Sequence, residues 1–389
     1  MVTAIERIKI ALYAIVIHFC NKFVRHRKTN RMLIVFQQIL GDAVIFLKPI
    51  EEYTRLAEEK NMQLTILCKP IVLKFWQSVA NLPDNVCIET MDFTRLFNDF
   101  SYFKEVLKKY RNYADIVIAP GSTLSSDLFS SVLCADRRIG MVGHKKINWP
   151  PHIAVFQKIA FSEMVFPDLD MMMIQRHRLL LHYLGRSNYQ GQISELKLTN
   201  RFINERYAVI CPGSSLTVKC WPIDRYAEIA DWLIDNYHID IYLCGGDEEC
   251  EIADKLLSLS SNPSHIHNFV GRTSFENWLS IVQYAEVVIG NDSATLHIAV
   301  ATNRKALCIA GVYDKYQFFP YKVDYLGETQ RIPETIIIDI PCENCKSKGY
   351  FHGYGNKECL DDIKDGKCAL CISKIKADEV KVKLKGMLN

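Results

Sequence analysis

The stretch VVIGNDSATLHIAVA, Val287 to Ala301, changes character twice. It opens as an apolar, β-branched run suited to a strand buried on both faces. It closes with apolar residues at helical spacing. Between the two sit Gly290, Asn291, Asp292, Ser293, Thr295 and His297. A buried strand that hands over to a helix through a polar turn is the repeating joint of a parallel α/β sheet. In such sheets ligands bind beyond the carboxyl ends of the strands.

The same joint recurs along the chain. MLIVF (32–36), LTILC (64–68) and DIVIAP (115–120) are expected strands, and DAVIFLKPIEEYTRLAEEK (42–60) is an expected helix kinked by Pro49. Residues 186–205 are polar, lack a long apolar face and form the expected linker. The alternation then restarts. YAVIC (207–211), IDIYLC (239–244), EVVIG (286–290) and KALCIAG (305–311) are strands, and IDRYAEIADWLIDN (223–236) is a helix with Tyr226, Ile229, Ala230 and Leu233 on one stripe. The organisation predicted is α/β. It comprises an N-terminal segment (1–30), a doubly wound domain (31–185), the linker, a second doubly wound domain (206–340) and a Cys-rich tail ending in a helix (341–389). A length of 389 residues also favours two cores over one.

Three strands of the second half end in polar turns that could share one crevice. After YAVIC come Gly213, Ser214, Ser215, Thr217 and Lys219; after IYLC come Gly245, Gly246, Asp247, Glu248 and Glu249; after EVVIG comes NDSATLH. Hydroxyls and a glycine allow close approach of backbone to a ligand, and a lysine supplies a point charge for phosphate. A helix opening at Ser293 to Thr295 offers unpaired N–H groups to an anion. An acidic side chain at Glu248 or Glu249 can accept from ribose hydroxyls. Together they suit a nucleoside-diphosphate ligand. Each has a plainer alternative: Asp292 or Ser293 as a helix cap, Gly-Gly as a turn, His297 as a hydrogen-bonded core histidine.

Bulk composition narrows the classes. A net charge of +3 gives no indication of nucleic acid as a partner, and no apolar run reaches the length of a spanning helix. The N-terminus has an apolar stretch from Ile8 to Ile17 followed by Lys22, Arg25, Arg27, Lys28 and Arg31, without a small-residue cleavage site. It fits either an amphipathic helix on an anionic membrane face or a helix packed on the protein with a solvated basic end. Of the fourteen cysteines, nine are scattered, many in apolar runs, which favours a reducing, cytoplasmic setting. The other five are Cys342, Cys345, Cys359, Cys368 and Cys371. Two C-x-x-C pairs flank a fifth cysteine, a pattern for structural Zn²⁺ or Fe, and spacing favours Cys342, Cys345, Cys368 and Cys371.

The segments CPGSSLTVKCWPIDRYAEIADWLI, LCGGDEECEIADKL and FVGRTSFENWLSIVQYAEVVIGNDSATLHIAVA resemble the donor half of glycosyltransferase family 9, the ADP-heptose heptosyltransferases of lipopolysaccharide synthesis and their relatives. MLIVFQQILGDAVIFLKPI resembles that family's first strand and Gly-Asp turn, and CADRRIGMVG its Arg-Ile-Gly segment. The resemblance runs from residue 31 onward and implies a GT-B architecture. Two Rossmann-like domains would face a central cleft, with a glycan or glycolipid acceptor on the first and an ADP-heptose-like donor on the second. It implies Asp42 as catalytic base, Lys219 at the donor phosphate, Glu249 at the ribose, and Asp292, Ser293 and His297 as the phosphate signature. The family has Gly where this chain has Ala294, a donor-site methyl group that narrows backbone approach. Some relatives carry a cysteine pattern that would select Cys359 over Cys368.

The function expected is an inverting, metal-independent sugar transfer, a heptose by the resemblance, to lipopolysaccharide or another surface glycan. It needs no cofactor for catalysis and takes place in the cytoplasm or peripherally on the inner membrane. The alternatives are a nucleotide-sugar epimerase of the same build and a non-catalytic subunit that binds a sugar nucleotide.

Overall fold

The computed structural model describes residues 2–24, 26–79, 82–121, 123–142, 158–168, 171–198, 200–312, 317–322, 331–338, 340 and 367–389. The chain divides into two compact units, Met1–Gly191 and Gln192–Asn389.

The first unit holds a six-stranded sheet: β1 (Arg31–Val35), β2 (Gln63–Cys68), β3 (Val86–Thr90), β4 (Ile116–Ala119), β5 (Arg137–Met141) and β6 (Glu163–Val165). Their order is β3-β2-β1-β4-β5-β6, and every pairing is parallel. The helices are α1 (Val2–Asn21), α2 (Leu40–Glu59), α3 (Pro70–Val79), α4 (Phe93–Asn98), α5 (Phe100–Tyr110), α6 (Leu124–Val132) and α7 (Met173–Tyr183). Strands β1 and β4 are buried along Met32–Val35 and Ile116–Ala119, because helices cover both faces of a doubly wound sheet. The α2 helix continues through Pro49, whose ring is buried among its neighbours.

The second unit repeats the plan. Its strands are β7 (Tyr207–Cys211), β8 (Asp240–Leu243), β9 (Ile266–Asn268), β10 (Val288–Asn291), β11 (Ala306–Ile309) and β12 (Glu334–Ile336). The order is β12-β11-β10-β7-β8-β9, again all parallel. Read from its own first strand, this is the same strand order as in the first unit, reversing direction between β7 and β10. Its helices are α8 (Ile223–Tyr237), α9 (Cys250–Leu259), α10 (Phe275–Tyr284), α11 (Ala294–Ala301), α12 (Leu370–Ser373) and α13 (Ala377–Leu388).

Sequence patterning located the central strands and missed β3, β5, β6, β9 and β12. Four of these are short or lie at the sheet edges, where at most one residue is fully buried, so no continuous apolar run marks them. Two arginines open β5.

Leu198 and Phe202, in the segment leading to β7, are tied to α10. Gln283 accepts from Leu198 N and donates to Leu198 O, at 2.7 and 2.9 Å. Phe202 N donates to Ser280 Oγ at 3.0 Å. The C-terminal helices belong to the same core: Leu370, Ile372, Ile375, Val380 and Leu384 cluster with Trp221, Tyr226 and Leu233. Trp221 Nε1 donates to Ile375 O at 2.9 Å, and Arg225 donates to Ser373 O at 2.5 Å. In the first unit, α1 packs Ile10, Ala14 and Ile17 against Leu96, Phe103 and Phe129. Its end is fixed where Asn21 Nδ2 donates to Val132 O at 2.9 Å. Among the described residues, no helix is long and apolar enough to cross a membrane.

Candidate functional site

At the carboxyl end of the second sheet, Asn291 ends β10 and is fully buried. Its amide Nδ2 donates to Pro212 O at 2.7 Å and Gly213 O at 3.2 Å. Its Oδ1 accepts from Trp221 N at 2.9 Å and Tyr226 Oη at 3.0 Å. One side chain thus uses both amide groups to fix the turn after β7 against β10 and the start of α8. Only an amide can donate to two carbonyls and accept from two donors at once. Sequence reading noted Asn291 only as one of several polar groups in the turn. Its signal was a polar residue ending an otherwise apolar strand.

The turns after β7 and β8 are linked through Glu249. A Cβ on Gly213 would lie 2.1 Å from Glu249 Oε1, and one on Gly245 would lie 2.1 Å from Oε2. Both glycines therefore leave the space that the carboxylate fills. Glu249 Oε2 accepts from Gly246 N at 3.0 Å. Burial pushes the Glu249 carboxyl above its usual range, while the Gly246 N–H opposes that shift. Ser214 is half-buried, and Ser215 and Thr217 are exposed.

Between β7 and β10 lie the charged groups. Lys219 Nζ is 3.3 Å from Asp292 Oδ2, and both side chains are largely buried. Ser293 occupies the N-cap position of α11 yet makes no side-chain cap hydrogen bond. Its Oγ is buried without a hydrogen-bond partner, so the helix-cap alternative does not describe Ser293. Ala294 opens the helix and Thr295 is buried one residue on.

His297 is a core histidine by contact. Its Nδ1 is hydrogen-bonded to Tyr321 Oη at 2.6 Å, and its ring stacks on Phe319 and Tyr321, with centroids 4.9 and 5.8 Å away. Burial, with the Lys219 charge adding to it, pushes the imidazole down to about 3, so it is neutral near pH 7. The Lys219 effect places His297 within reach of the same cluster.

In the first unit, Asp42 is buried in the first turn of α2, just past the end of β1. A carboxylate there is favoured by the exposed N–H groups of the helix start. Ile39, not Asp42, holds the N-cap position. Trp76 Nε1 donates to Ala43 O at 3.0 Å and fixes this turn. Lys69 follows β2; burial pushes its ammonium below lysine's usual range, and the Asp42 charge opposes that shift. The first unit thus places a buried acid and a half-buried base within electrostatic reach at neighbouring strand ends. Sequence patterning did not select Lys69, which stands alone after an apolar strand. The turn after β4 is crowded too: a Cβ on Gly121 would meet Gln38 Nε2 at 1.9 Å.

Cys342, Cys345 and Cys359 lie outside the described residues. Cys371 is buried in α12, and Cys368, half-buried, is close enough to Cys220 to contribute to the upward shift of its thiol, which burial mainly causes. Among the described residues, the one metal-suited grouping is His26, Asp115 and Asp136. There Asp115 already accepts from Thr29 N and Asn30 N, at 2.7 and 2.9 Å.

The profile of Glycosyltransferase family 9 (heptosyltransferase) matches residues 103–342, more than half of the chain. Lipopolysaccharide heptosyltransferase 3 of Escherichia coli K12 is 24% identical over 135 residues, which are 34% of this chain and 39% of that relative. The chain therefore spans well under half the length of this curated relative. Two solved structures share the fold. A family 9 glycosyl transferase from Veillonella parvula DSM 2008 has a TM-score of 0.60 at 12% identity, covering 94% of this chain and 98% of its own. The E. coli ADP-heptose lps heptosyltransferase II has a TM-score of 0.59 at 16% identity, covering 92% and 98%. With the tandem doubly wound sheets, these matches place the chain in glycosyltransferase family 9.

Proposed function

We propose that the chain is an inverting glycosyltransferase that moves a heptose from a nucleoside-diphosphate donor to a lipopolysaccharide or related surface-glycan acceptor. The observation that supports it most is the joint placement of Lys219, Asp292 and the unpartnered Ser293 Oγ at the start of α11. A cation, a buried hydroxyl and helix N–H groups converge there, which is the chemistry a pyrophosphate needs. Gly213 and Gly245 keep the neighbouring turns open to Glu249, which stands nearest where a ribose would be held.

In this proposal the Asp42 carboxylate takes the proton from an acceptor hydroxyl. The oxygen forms its bond to the anomeric carbon as the bond from that carbon to the diphosphate oxygen breaks. The nucleoside diphosphate leaves with added negative charge, which Lys219 and the α11 N-terminus stabilise. Lys69 lies within electrostatic reach of Asp42 at the neighbouring strand end.

The test is transfer from ADP-heptose, with binding of ADP, UDP and GDP followed by thermal shift. Asp42→Asn is expected to lower turnover roughly 10²–10⁴-fold with ADP binding retained. Lys219→Ala is expected to lower turnover by about 10²–10³-fold and to weaken ADP binding. Near-wild-type turnover in folded Asp42→Asn removes Asp42 from the base role, and a preference for UDP or GDP redirects the donor assignment.

A structural metal held by four of Cys342, Cys345, Cys359, Cys368 and Cys371 is proposed on spacing. Protein purified without chelator is expected to carry close to one equivalent of Zn or Fe; less than about a tenth of an equivalent rejects the site.

A further inference from the structure

We infer that α1 is a docking surface for an anionic lipid bilayer. The helix has two apolar faces. Ile10, Ala14 and Ile17 are buried in the first unit. Ile5, Ile8, Leu12, Val16 and Phe19 are exposed along the helix, Leu12 to 61%, and Phe23, 90% exposed, follows in the turn just past the helix end. At roughly 100° per residue the two sets lie on opposite sides of the cylinder. The buried set explains why the helix folds against the unit. It leaves the exposed set without a structural purpose. A row of apolar side chains along a 20-residue helix that already has its own core contacts is unusual for a surface in water.

Charge identifies the occupant. Lys22, Arg27 and Lys28 are exposed beyond the row, and Lys22 Nζ sits 5.0 Å from the centre of the Phe19 ring; Lys9, on the helix itself, is paired with Glu6 at 2.9 Å. Apolar side chains rimmed by cations fit the boundary between anionic headgroups and acyl chains. A second copy of the same face fits poorly, because docking would set these cations against one another. At 20 residues the helix has the length of a span but is not apolar enough to cross a membrane. The row lies flat along the helix, so the helix would rest in the interface with its buried face still on the protein. This inference is independent of the donor chemistry proposed above and goes beyond it.

The experiment is flotation of the full chain with vesicles of phosphatidylglycerol and phosphatidylethanolamine, and with neutral phosphatidylcholine vesicles, alongside light-scattering mass measurement without lipid. Binding to the anionic vesicles is expected, with at least tenfold less on neutral vesicles and marked weakening in high salt. Leu12→Glu with Phe23→Ser should reduce partitioning at least tenfold without lowering the melting temperature, since both side chains are exposed. Lys22→Gln with Lys28→Gln should reduce it by roughly fivefold per cation. Wild-type protein that stays with neither vesicle overturns the inference. So does a Leu12→Glu, Phe23→Ser protein that floats like the wild type. If these changes instead convert a lipid-free dimer to a monomer and leave vesicle binding unaltered, the face belongs to a second copy.

Discussion

A methyl group on Gly213 would meet Glu249 Oε1, Cδ and Cγ at 2.1, 2.2 and 2.7 Å, so the whole side chain would have to leave. On Gly246, one residue from the other close glycine, an added Cβ has nothing within 4 Å. This gives a controlled prediction at the residue scale. Gly213→Ala should weaken ADP binding at least tenfold by calorimetry, and Gly246→Ala should leave it within twofold. Equal effects of the two would mean that the Glu249 position does not matter to the ligand. Sequence reading marked Gly213 for backbone approach to a ligand, but the group that approaches it within the protein is a carboxylate. No local pattern contains that contact, because Gly213 and Glu249 follow different strands. Ser293 shows the reverse. Its place between strand and helix fits a cap, yet in the folded chain its hydroxyl makes no cap bond.

At the scale of elements, β10 delivers Asn291 as the joint between the turn after β7 and the start of α8. Asn291→Ala would leave Pro212 O, Gly213 O, Trp221 N and Tyr226 Oη without this partner. A loss of about 2–4 kcal/mol is expected, read as a lower urea midpoint. Asn291→Asp keeps the acceptor but sets a buried carboxylate oxygen against Pro212 O and Gly213 O, so it should destabilise at least as much as alanine, with ADP binding reduced in step. The C-terminal helices make a second element-scale prediction. Leu370, Ile372, Ile375, Val380 and Leu384 are buried in the second unit's core. Each contributes about 1.5–3 kcal/mol, against a total stability on the order of 5–15 kcal/mol. Removal of residues 367–389 should therefore abolish cooperative unfolding of that unit in circular dichroism; a retained sharp transition would show the tail to be dispensable.

For the molecule as a whole, two buried histidines set an acid limit. Burial holds His297 and His177 down at about 3, against 6.5 for a free imidazole. Both are neutral in the folded chain and would take up a proton on unfolding once the pH drops below 6.5. The unfolded state then binds more protons, so stability is fully present above pH 6.5 and is lost as pH falls towards 3. Each histidine contributes a slope of about 1.4 kcal/mol per pH unit in the lower part of that window. His177 lies under Phe46, with ring centroids 5.1 Å apart, and neither ring nitrogen has a hydrogen-bond partner. His177→Phe should therefore remove about one proton from the slope of urea stability between pH 6 and 4.5 while raising stability at pH 5. An unchanged slope would place the acid sensitivity elsewhere.

Much of this protein was legible from its residues in order. Continuous apolar strands at 32–36, 64–68, 207–211 and 286–290 announce a parallel sheet, because burial on both faces leaves no room for alternation. The polar turns after them announce a ligand site at the carboxyl ends, and the motifs they carry announce the family. Edge strands such as β3 and β12 escaped, since their partial exposure erases the apolar signature. What only the tertiary structure decided is which groups are paired with which. Asn291 clamps the Pro212 turn, Glu249 fills the space of two glycines, His297 is absorbed by Tyr321, and Ser293 keeps a hydroxyl without a partner. The same holds for α1, whose apolar residues read as one stretch in sequence and divide in space into a face held by the core and a face left in water. Periodicity records which residues are apolar along one element, whereas hydrogen bonds and burial depend on neighbours brought from tens of residues away.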